Sequence, residues 1–338
     1  MSLKRPFKLG SLTLPSNIFC APLAGCSDVP FRRMTAKYKP GLMYCEMVKM
    51  DALVRNHPGT FRLLDYEPSM HPIGAQLCGS KPELAGECAK IIENLGFVVV
   101  DLNCGCPVDK VTKDGSGSGL LKNPDVIGEI VANMVAAVKI PVTVKIRIGW
   151  DLDSIVAPEI TRIAELAGAK AICIHGRTRV QAYHGPACWD YISECKKMAK
   201  EILVIGNGDV IDGPSAEKIF TETKCDAVLV ARGAMGQPWV IEDIYRYLSG
   251  EAPLMRTGID LRDAFLEHLE HIAHYFPDEH KAICDLRRIG CWFLRGGKGV
   301  RELRANLNRL KSVAEIRTMI HTYDWENMHQ LDVEPALV

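Results

Sequence analysis

Eight short apolar stretches follow one another between residues 17 and 231, each separated from the next by a polar turn or a helix-like segment. They cover residues 17–23, 42–46, 72–77, 97–102, 142–146, 170–175, 202–206 and 226–231. The apolar residues in each stretch are nearly continuous, which indicates strands buried on both faces and therefore a parallel sheet. Eight such units in roughly 250 residues predict an α/β fold, a (β/α)8 TIM barrel rather than an open doubly wound sheet. No Gly-x-Gly-x-x-Gly motif follows the first stretch, which also weighs against a dinucleotide-binding fold.

The segments between the strands carry the end signals of α-helices. Residues 81–95 and 123–138 each have a proline near the first turn, which is typical of helix starts. Residues 157–167 and 214–223 begin in the same way. Helices alternating with strands are what a parallel barrel requires.

After Gly250 the strand-like stretches stop, and four helix-like segments follow at residues 261–275, 281–294, 300–311 and 313–323. We therefore predict a barrel over residues 1–250 and a small C-terminal helical domain over residues 251–338.

The composition is that of an ordinary globular protein, with 338 residues of which 47% are hydrophobic and 24% charged. No apolar stretch reaches about 18 residues, so we expect no membrane span, and residues 1–15 lack the apolar core of a signal peptide. Thirteen scattered cysteines favour reduced thiols and a cytoplasmic protein. The Cys-x-Cys pair has no second cluster, so we predict no metal site. We also expect a monomer.

The net charge of zero conceals a cationic stretch between residues 286 and 317, where nine basic residues stand against two acidic ones. The nine are Arg287, Arg288, Arg295, Lys298, Arg301, Arg304, Arg309, Lys311 and Arg317. Such an excess predicts a surface for a polyanion, with a solvated helix face as the alternative.

Polar or glycine-rich residues follow all eight predicted strands, at the end of a barrel where active sites lie. They are Pro22-Leu23-Ala24-Gly25, Glu46, Gln76, Asn103 with Cys106, Lys145 with Arg147, His175 with Arg177, Asn207-Gly208-Asp209, and Arg232-Gly233. Each has an ordinary structural explanation alone, but together they predict one shared site.

The chemistry of these residues points to a flavin site. Asn103 and Cys106 place an amide beside a thiol on a Gly/Pro-shaped turn, which suits proton transfer to a substrate that the amide holds. Lys145 lies in an apolar strand, and its buried ammonium needs an anionic or carbonyl partner such as the N1/O2 edge of a reduced flavin. Gln76 can donate and accept at an isoalloxazine edge. The glycine-rich segments after the last two strands, with Arg232, suit a phosphate.

Five sequence blocks resemble the tRNA-dihydrouridine synthases, flavin enzymes that reduce uridine in tRNA. They are residues 21–28 (Ala-Pro-Leu-Ala-Gly-Cys-Ser-Asp), residues 101–107 (Asp-Leu-Asn-Cys-Gly-Cys-Pro), residues 145–147 (Lys-Ile-Arg), the His-Gly-Arg-Thr-Arg block at 175–179 with its following residues, and residues 207–209 together with 231–233. The resemblance implies an FMN-binding catalytic barrel over residues 1–250 and a tRNA-binding helical domain over residues 251–338.

The resemblance also implies roles for individual residues. Cys106 would protonate C5 of the uracil while hydride passes from N5 of reduced FMN to C6, and Asn103 and Arg147 would hold the uracil. NADPH, or alternatively NADH, would reload the flavin. The implied cofactor-binding residues are Pro22, Leu23, Ala24, Gln76, Lys145, His175, Asn207, Gly208, Asp209, Ala231 and Arg232.

The sequence leaves several alternatives open. Cys104 is a second candidate for the acid, and the segment 115–119 is either a closing lid or a plain loop. Trp292 and Phe293 contact either tRNA or the protein core. A barrel flavoenzyme for a free small molecule and a non-catalytic tRNA-binding protein are competing functions. Leu23, Cys26 and Ser27 depart from the family's usual Met, Val and Thr, as Ala231 does from Gly. Which uridine and which tRNAs would be reduced is also open.

Overall fold

Eight parallel strands form the centre of the computed structural model, which describes residues 5–295 and 300–326. A hairpin precedes them, and the ten strands are β1 (Phe7–Leu9), β2 (Leu12–Leu14), β3 (Ile18–Cys20), β4 (Met43–Lys49), β5 (Ile73–Cys78), β6 (Val99–Cys104), β7 (Val142–Arg147), β8 (Ala171–His175), β9 (Leu203–Asn207) and β10 (Ala227–Val230). The parallel sheet has the order β3-β10-β9-β8-β7-β6-β5-β4. Two backbone hydrogen bonds join its edges, from Gly41 N to Ile18 O (2.8 Å) and from Cys20 N to Leu42 O (2.9 Å). The predicted (β/α)8 barrel is therefore confirmed, and each predicted strand overlaps one of β3 to β10.

Helices surround the barrel and continue beyond it. They are α1 (Val29–Ala36), α2 (Met50–Val54), α3 (Pro58–Leu63), α4 (Pro82–Asn94), α5 (Asp109–Thr112), α6 (Pro124–Ala137), α7 (Ala157–Leu166), α8 (Asp190–Met198), α9 (Gly213–Thr223), α10 (Val240–Leu248), α11 (Gly258–Tyr275), α12 (Glu279–Phe293), α13 (Val300–Leu307) and α14 (Val313–Thr322). The sequence analysis did not predict α1, α2, α3, α5, α8 and α10. Helices α8 and α10 start after Trp189 and Trp239 without a side-chain cap. Neither helix therefore has the start signal by which helices are recognised.

The strand register brings polar side chains of neighbouring strands to the same height. Asn103 of β6 pairs with Lys145 of β7, and Arg147 pairs with His175 of β8. His175 in turn pairs with Asn207 of β9. Because alternate residues of a strand point to the same face, this register aims all five side chains into the carboxyl-terminal end of the barrel.

The hairpin β1–β2, which the sequence analysis did not predict, closes the opposite end of the barrel. Leu9 and Leu14 are buried, and the ring of Phe7 packs edge-on against Phe19 of β3 at 5.3 Å between centroids. Gly10, with a φ of 59°, makes the turn. Strands of three residues are too short for their periodicity to be recognised in the sequence.

The C-terminal helices dock on the cavity end of the barrel. The Arg288 guanidinium donates to the carbonyl of Gly25 and lies 3.3 Å from the Asp28 carboxylate. Trp292 packs edge-on against Phe31 of α1 at 6.1 Å, and Phe293 stacks on Phe265 at 4.9 Å. Trp292 and Phe293 are both buried, so they belong to the core and not to an RNA-binding face.

All thirteen cysteines are free thiols. Over residues 5–295 and 300–326, no helix is long and apolar enough to cross a membrane.

One buried histidine makes the stability of the helical region sensitive to acid. Burial, assisted by the charge of Arg288, lowers the pKa of His268 to about 3, and the ring packs edge-on against Phe293. As the pH falls below about 6.5, His268 becomes protonated in the unfolded chain but stays neutral in the folded protein. The free energy of unfolding therefore falls by about 1.4 kcal/mol per pH unit.

We expect His268→Leu to remove this loss. Between pH 7 and pH 5, the free energy of unfolding should therefore fall by about 2 kcal/mol less in the variant than in the wild type. Urea unfolding at several pH values measures it. The exposed His280 supplies the control, His280→Leu. A variant at position 268 with the same pH slope as wild type would contradict the prediction.

Candidate active site

A cavity of about 330 Å³ opens at the carboxyl-terminal ends of the barrel strands. The fourteen residues to which the sequence analysis assigned roles all line it: Pro22, Leu23, Ala24, Gln76, Asn103, Cys106, Lys145, Arg147, His175, Asn207, Gly208, Asp209, Ala231 and Arg232. Three other strand-end residues, Gly25, Glu46 and Arg177, do not line it, and the Glu46 carboxylate instead accepts a hydrogen bond from Gly25 N. The wall also includes Cys26, Met47 and Tyr183, which were not predicted as site residues. The predicted residues are therefore brought together in one place, as the barrel requires.

Asn103 shapes the turn that carries Cys106. Its Oδ1 accepts hydrogen bonds from Gly105 N (3.1 Å) and Cys106 N (2.9 Å). Arg147 Nε donates to the carbonyl of Gly105 (2.8 Å), and Ser118 Oγ donates to the carbonyl of Cys106 (2.9 Å). The thiol is thus presented from a turn whose backbone is held on both sides.

The segment 115–119 supports this turn from beneath. Ser116 and Ser118 are buried, and Gly117 begins a short 3₁₀-helix, Gly117–Lys122. Ser118 N also donates to Cys106 O (3.1 Å). No residue of this segment lines the cavity, so in this structure it packs behind the Cys106 turn and does not cover the opening.

The two cysteines of the Cys-x-Cys pair lie in different surroundings. Cys104 is fully buried in the apolar layer between the sheet and the helices, and burial raises its pKa well above the usual value. Cys106 is partly exposed and lines the cavity. Of the two, Cys106 is the thiol that a bound molecule would meet.

Lys145 is half-buried and has capacity for further hydrogen bonds. Its Nζ donates to Asn207 Oδ1 (3.1 Å), and among the described residues this is its one hydrogen-bond acceptor. Burial lowers the pKa of Lys145. An ammonium has three donors, so Lys145 suits a ligand that presents anionic or carbonyl atoms.

Arg177 organises the residues at the other end of the cavity; the sequence analysis placed it among the strand-end residues without assigning it a role. Its Nη2 donates to both carboxylate oxygens of Asp209 (2.8 Å each), and its Nε donates to the carbonyl of Gly185 (3.0 Å). Arg177 Nη1 lies 3.2 Å from His175 Nε2. Burial, with Arg147 and other nearby cations, lowers the pKa of His175 well below its usual value, so its neutral ring can accept this hydrogen bond.

Asp209 itself is occupied by protein partners. Besides Arg177, its carboxylate accepts from Ala187 N (2.7 Å) and lies 3.5 Å from Arg232 Nη2. Because a carboxylate repels phosphate, Asp209 is better suited to orient Arg177 and Arg232 than to contact a phosphate itself. Arg232, which lies over the Tyr183 ring at 4.6 Å, is the group suited to bind an anion.

The donor set fits a flavin mononucleotide. Amide and ammonium groups (Gln76, Asn103 and Lys145) line one part of the cavity, and the Arg232 guanidinium stands in another, which suits a polar ring edge and a phosphate respectively. The volume is within the usual range for ligand pockets. Within the described ranges, no group of three or more His, Cys, Asp or Glu side chains is arranged to hold a metal ion.

Comparison with known proteins assigns the chain to a family. The family model described as dihydrouridine synthase matches residues 19–327. The chain belongs to the dihydrouridine synthase family. A probable tRNA-dihydrouridine synthase of Rickettsia conorii is 36% identical over 315 residues, which is 93% of this chain and 95% of that protein. The tRNA-dihydrouridine synthase B of Pseudomonas aeruginosa is 36% identical over 305 residues, 90% of this chain and 91% of its own length.

Dihydrouridine synthases reduce uridine to dihydrouridine in tRNA, so the chain is an oxidoreductase that acts on tRNA. A more distant likeness supports the barrel alone. Histamine dehydrogenase from Rhizobium sp. 4-9 superposes with a TM-score of 0.57 at 12% identity over 80% of this chain and 51% of that one.

Removal of Arg177 is expected to destabilise this dihydrouridine synthase, because Arg177→Met removes the bidentate partner of Asp209 and the donors to the Gly185 carbonyl. We predict a loss of about 3 kcal/mol in the free energy of unfolding, measured by urea denaturation. The control is Arg179→Met in the same loop, whose partner Asp109 is largely exposed and whose loss should cost at most about 1 kcal/mol. Equal losses in the two variants would contradict this account.

Proposed function

We propose that the protein reduces uridine in tRNA with FMN bound in the barrel cavity, that Cys106 supplies the proton, and that NADPH, or alternatively NADH, reloads the flavin. One observation carries the proposal: Cys106, Asn103, Lys145 and Arg147 converge on one cavity. The family assignment favours tRNA over the free small molecule that the sequence left as an alternative, and over a non-catalytic role.

The cofactor residues divide between the two ends of FMN. Gln76 and Lys145 would contact the polar edge of the ring. The other cavity-lining residues near the ring would be Pro22, Leu23, Ala24 and His175. Arg232 would bind the phosphate beside the backbone of Gly208 and Ala231. Reduced FMN, when bound, supplies the hydride that C6 of the uracil receives.

Cys106 completes the reduction. The C5=C6 bond gains two electrons and a hydrogen at C6, and its C5 takes the proton of the Cys106 thiol. The thiolate then takes a proton from solvent, so the balance is one hydride and one proton added to the ring. A thiol positioned at the reacting carbon can act as a general acid.

Asn103 and Arg147 have hydrogens left for the carbonyl oxygens of a uracil. Arg147 Nε donates to the carbonyl of Gly105, and its Nη1 donates to the carbonyls of Thr178 (2.8 Å) and Ala182 (2.7 Å). No described residue accepts a hydrogen bond from its Nη2. Asn103 Nδ2 gives one hydrogen to Gln76 Oε1 (2.7 Å) and points its other towards the Met47 sulfur at 3.5 Å, a weak acceptor. Arg147 Nη2 and Asn103 Nδ2 would therefore hold the base in the ring plane.

Cys106→Ala should lower dihydrouridine formation about 100- to 10,000-fold while flavin still binds, because general-acid catalysis contributes on this scale. Nucleoside mass spectrometry of unmodified tRNA, incubated with protein, FMN and NADPH, measures the product. Cys104→Ala is the matched control and should keep most of the activity, since Cys104 does not line the cavity. Wild-type activity in Cys106→Ala would refute the role of the thiol.

Fewer cations of the stretch between residues 286 and 317 are available to a ligand than the sequence implies, because several already have protein partners. Arg287, Arg295 and Arg304 donate to backbone carbonyls, Arg288 ties the domain to the barrel, and Arg317 pairs with Glu270 at 2.7 Å. Arg301, Arg309 and Lys311 are exposed, and Lys298 lies outside the described residues. We assign tRNA phosphates to the three exposed cations.

Replacing Arg301, Arg309 and Lys311 together with glutamine should weaken tRNA binding and reduce its salt dependence. The slope of log K against log salt is expected to fall by about 2, since each lost phosphate contact contributes about 0.7 to 0.9. Fluorescence anisotropy at several salt concentrations measures both effects. The control replaces the exposed Lys90, Lys139 and Lys200, which lie away from the cavity end of the barrel. A triple variant that keeps the wild-type slope would remove this surface from tRNA binding.

A further inference from the structure

We infer that Asp101 is a positioning residue that sets the direction of a hydrogen-bond chain ending at the backbone of Cys106. Asp101 is buried beneath the cavity and does not line it, so it acts through Gln76 and Asn103. The inference rests on the proposed role of Cys106.

The chain is continuous across three strands of the barrel. Thr143 Oγ1 donates to Asp101 Oδ1 (2.6 Å), and Gln76 Nε2 donates to Asp101 Oδ2 (2.7 Å). Asn103 Nδ2 donates to Gln76 Oε1 (2.7 Å). Asn103 Oδ1 then accepts from the backbone N–H groups of Gly105 and Cys106. The strand register, in which Gln76 pairs with Asp101 and Asp101 with Thr143, holds the three strands at the required height.

Asp101 decides the direction because an ionised carboxylate only accepts hydrogen bonds. Gln76 must therefore turn its NH₂ group towards Asp101 and its carbonyl oxygen towards Asn103. Asn103 must in turn direct its NH₂ to Gln76 and its oxygen to Cys106. If either amide were reversed, donor would face donor and acceptor would face acceptor, at a cost that is high for buried groups.

The direction determines what the cavity offers to a ligand. Gln76 keeps its oxygen occupied and has one Nε2 hydrogen left, so it presents a donor to the cofactor edge. Asn103 likewise has an Nδ2 hydrogen for the substrate, while its oxygen holds the Cys106 turn closed. One buried carboxylate thus sets the polarity of two amides that line the site.

The surroundings of Asp101 are compatible with ionisation at neutral pH. Burial raises its pKa to about 6, and the hydrogen bonds from Thr143 and Gln76 and the charge of Lys145 oppose that rise. The other titratable groups that interact with it are Tyr44 of β4, Cys104 of β6 and Cys173 of β8, whose pKa values are all raised, so they remain neutral.

Three variants of the full-length protein test the inference. Asp101→Asn keeps the shape but permits either amide direction, Asp101→Leu removes the acceptor, and Thr143→Val removes a donor from the oxygen that does not face Gln76. We expect both Asp101 variants to lower kcat on tRNA about 10- to 100-fold with KM within about threefold. Assayed at pH 8, where Asp101 is expected to remain ionised after the loss of the Thr143 hydrogen bond, Thr143→Val should lower kcat by less than about threefold, because the contact between Gln76 and Asp101 persists.

A second measurement needs neither cofactor nor tRNA. The rate at which iodoacetamide alkylates Cys106 in flavin-free protein reports the state of its turn, since thiol reactivity depends on local surroundings. The alkylation rate of Cys106 should differ from the wild-type value in Asp101→Asn and equal it in Thr143→Val. The tryptic peptide of residues 91–110 contains both Cys104 and Cys106, so tandem mass spectrometry of its fragments locates the label on Cys106.

Wild-type kcat and alkylation rates in a folded Asp101→Asn would overturn the inference, and so would equal losses in Asp101→Asn and Thr143→Val, which indicate a merely structural role. If Asp101→Leu does not fold, the isosteric Asn variant decides. Failure of the wild-type protein to form dihydrouridine would instead refute the proposed function, and the alkylation rates would still test Asp101.

Discussion

The parallel register of the barrel is the constraint on which the site depends. Neighbouring strands pair so that Asn103, Lys145 and Cys173 stand at one height and Arg147, His175 and Asn207 at the next. A shift of one residue in any strand would turn its polar side chains into the apolar layer beneath the helices. Polar residues therefore gather at one end of a barrel whose other end is filled by apolar side chains and closed by a hairpin.

Crowding of cations inside this end gives the site its electrostatic character. Lys145, Arg147, Arg177 and Arg232 are held with few acidic partners, of which Asp209 is the nearest. Burial, together with mutual repulsion, lowers the pKa of Arg147 to about 10 and also lowers that of Arg232. Such groups are poorly compensated by the protein alone, so an anionic ligand would relieve them.

Docking of the C-terminal helices uses much of the positive charge that the sequence places there. Arg288 and Arg295 reach the barrel backbone at Gly25 and Met235, beside loops that line the cavity. The C-terminal helices therefore lie beside the rim of the site. A net count of charge cannot separate such structural arginines from free ones, because both look alike in sequence.

The sequence by itself determined the barrel and which polar residues gather at its carboxyl-terminal end, because buried parallel strands leave continuous apolar stretches and polar side chains stand at the strand ends. Even the choice of Cys106 over Cys104 had a basis in the family motif. Only the tertiary structure decided that Cys104 faces the helices and that Arg177 and Asp209 form an ion pair. It also decided that Asp101 lies where it can orient the amides of Gln76 and Asn103. These outcomes depend on which atoms meet across strands distant in sequence, and no local pattern records such contacts.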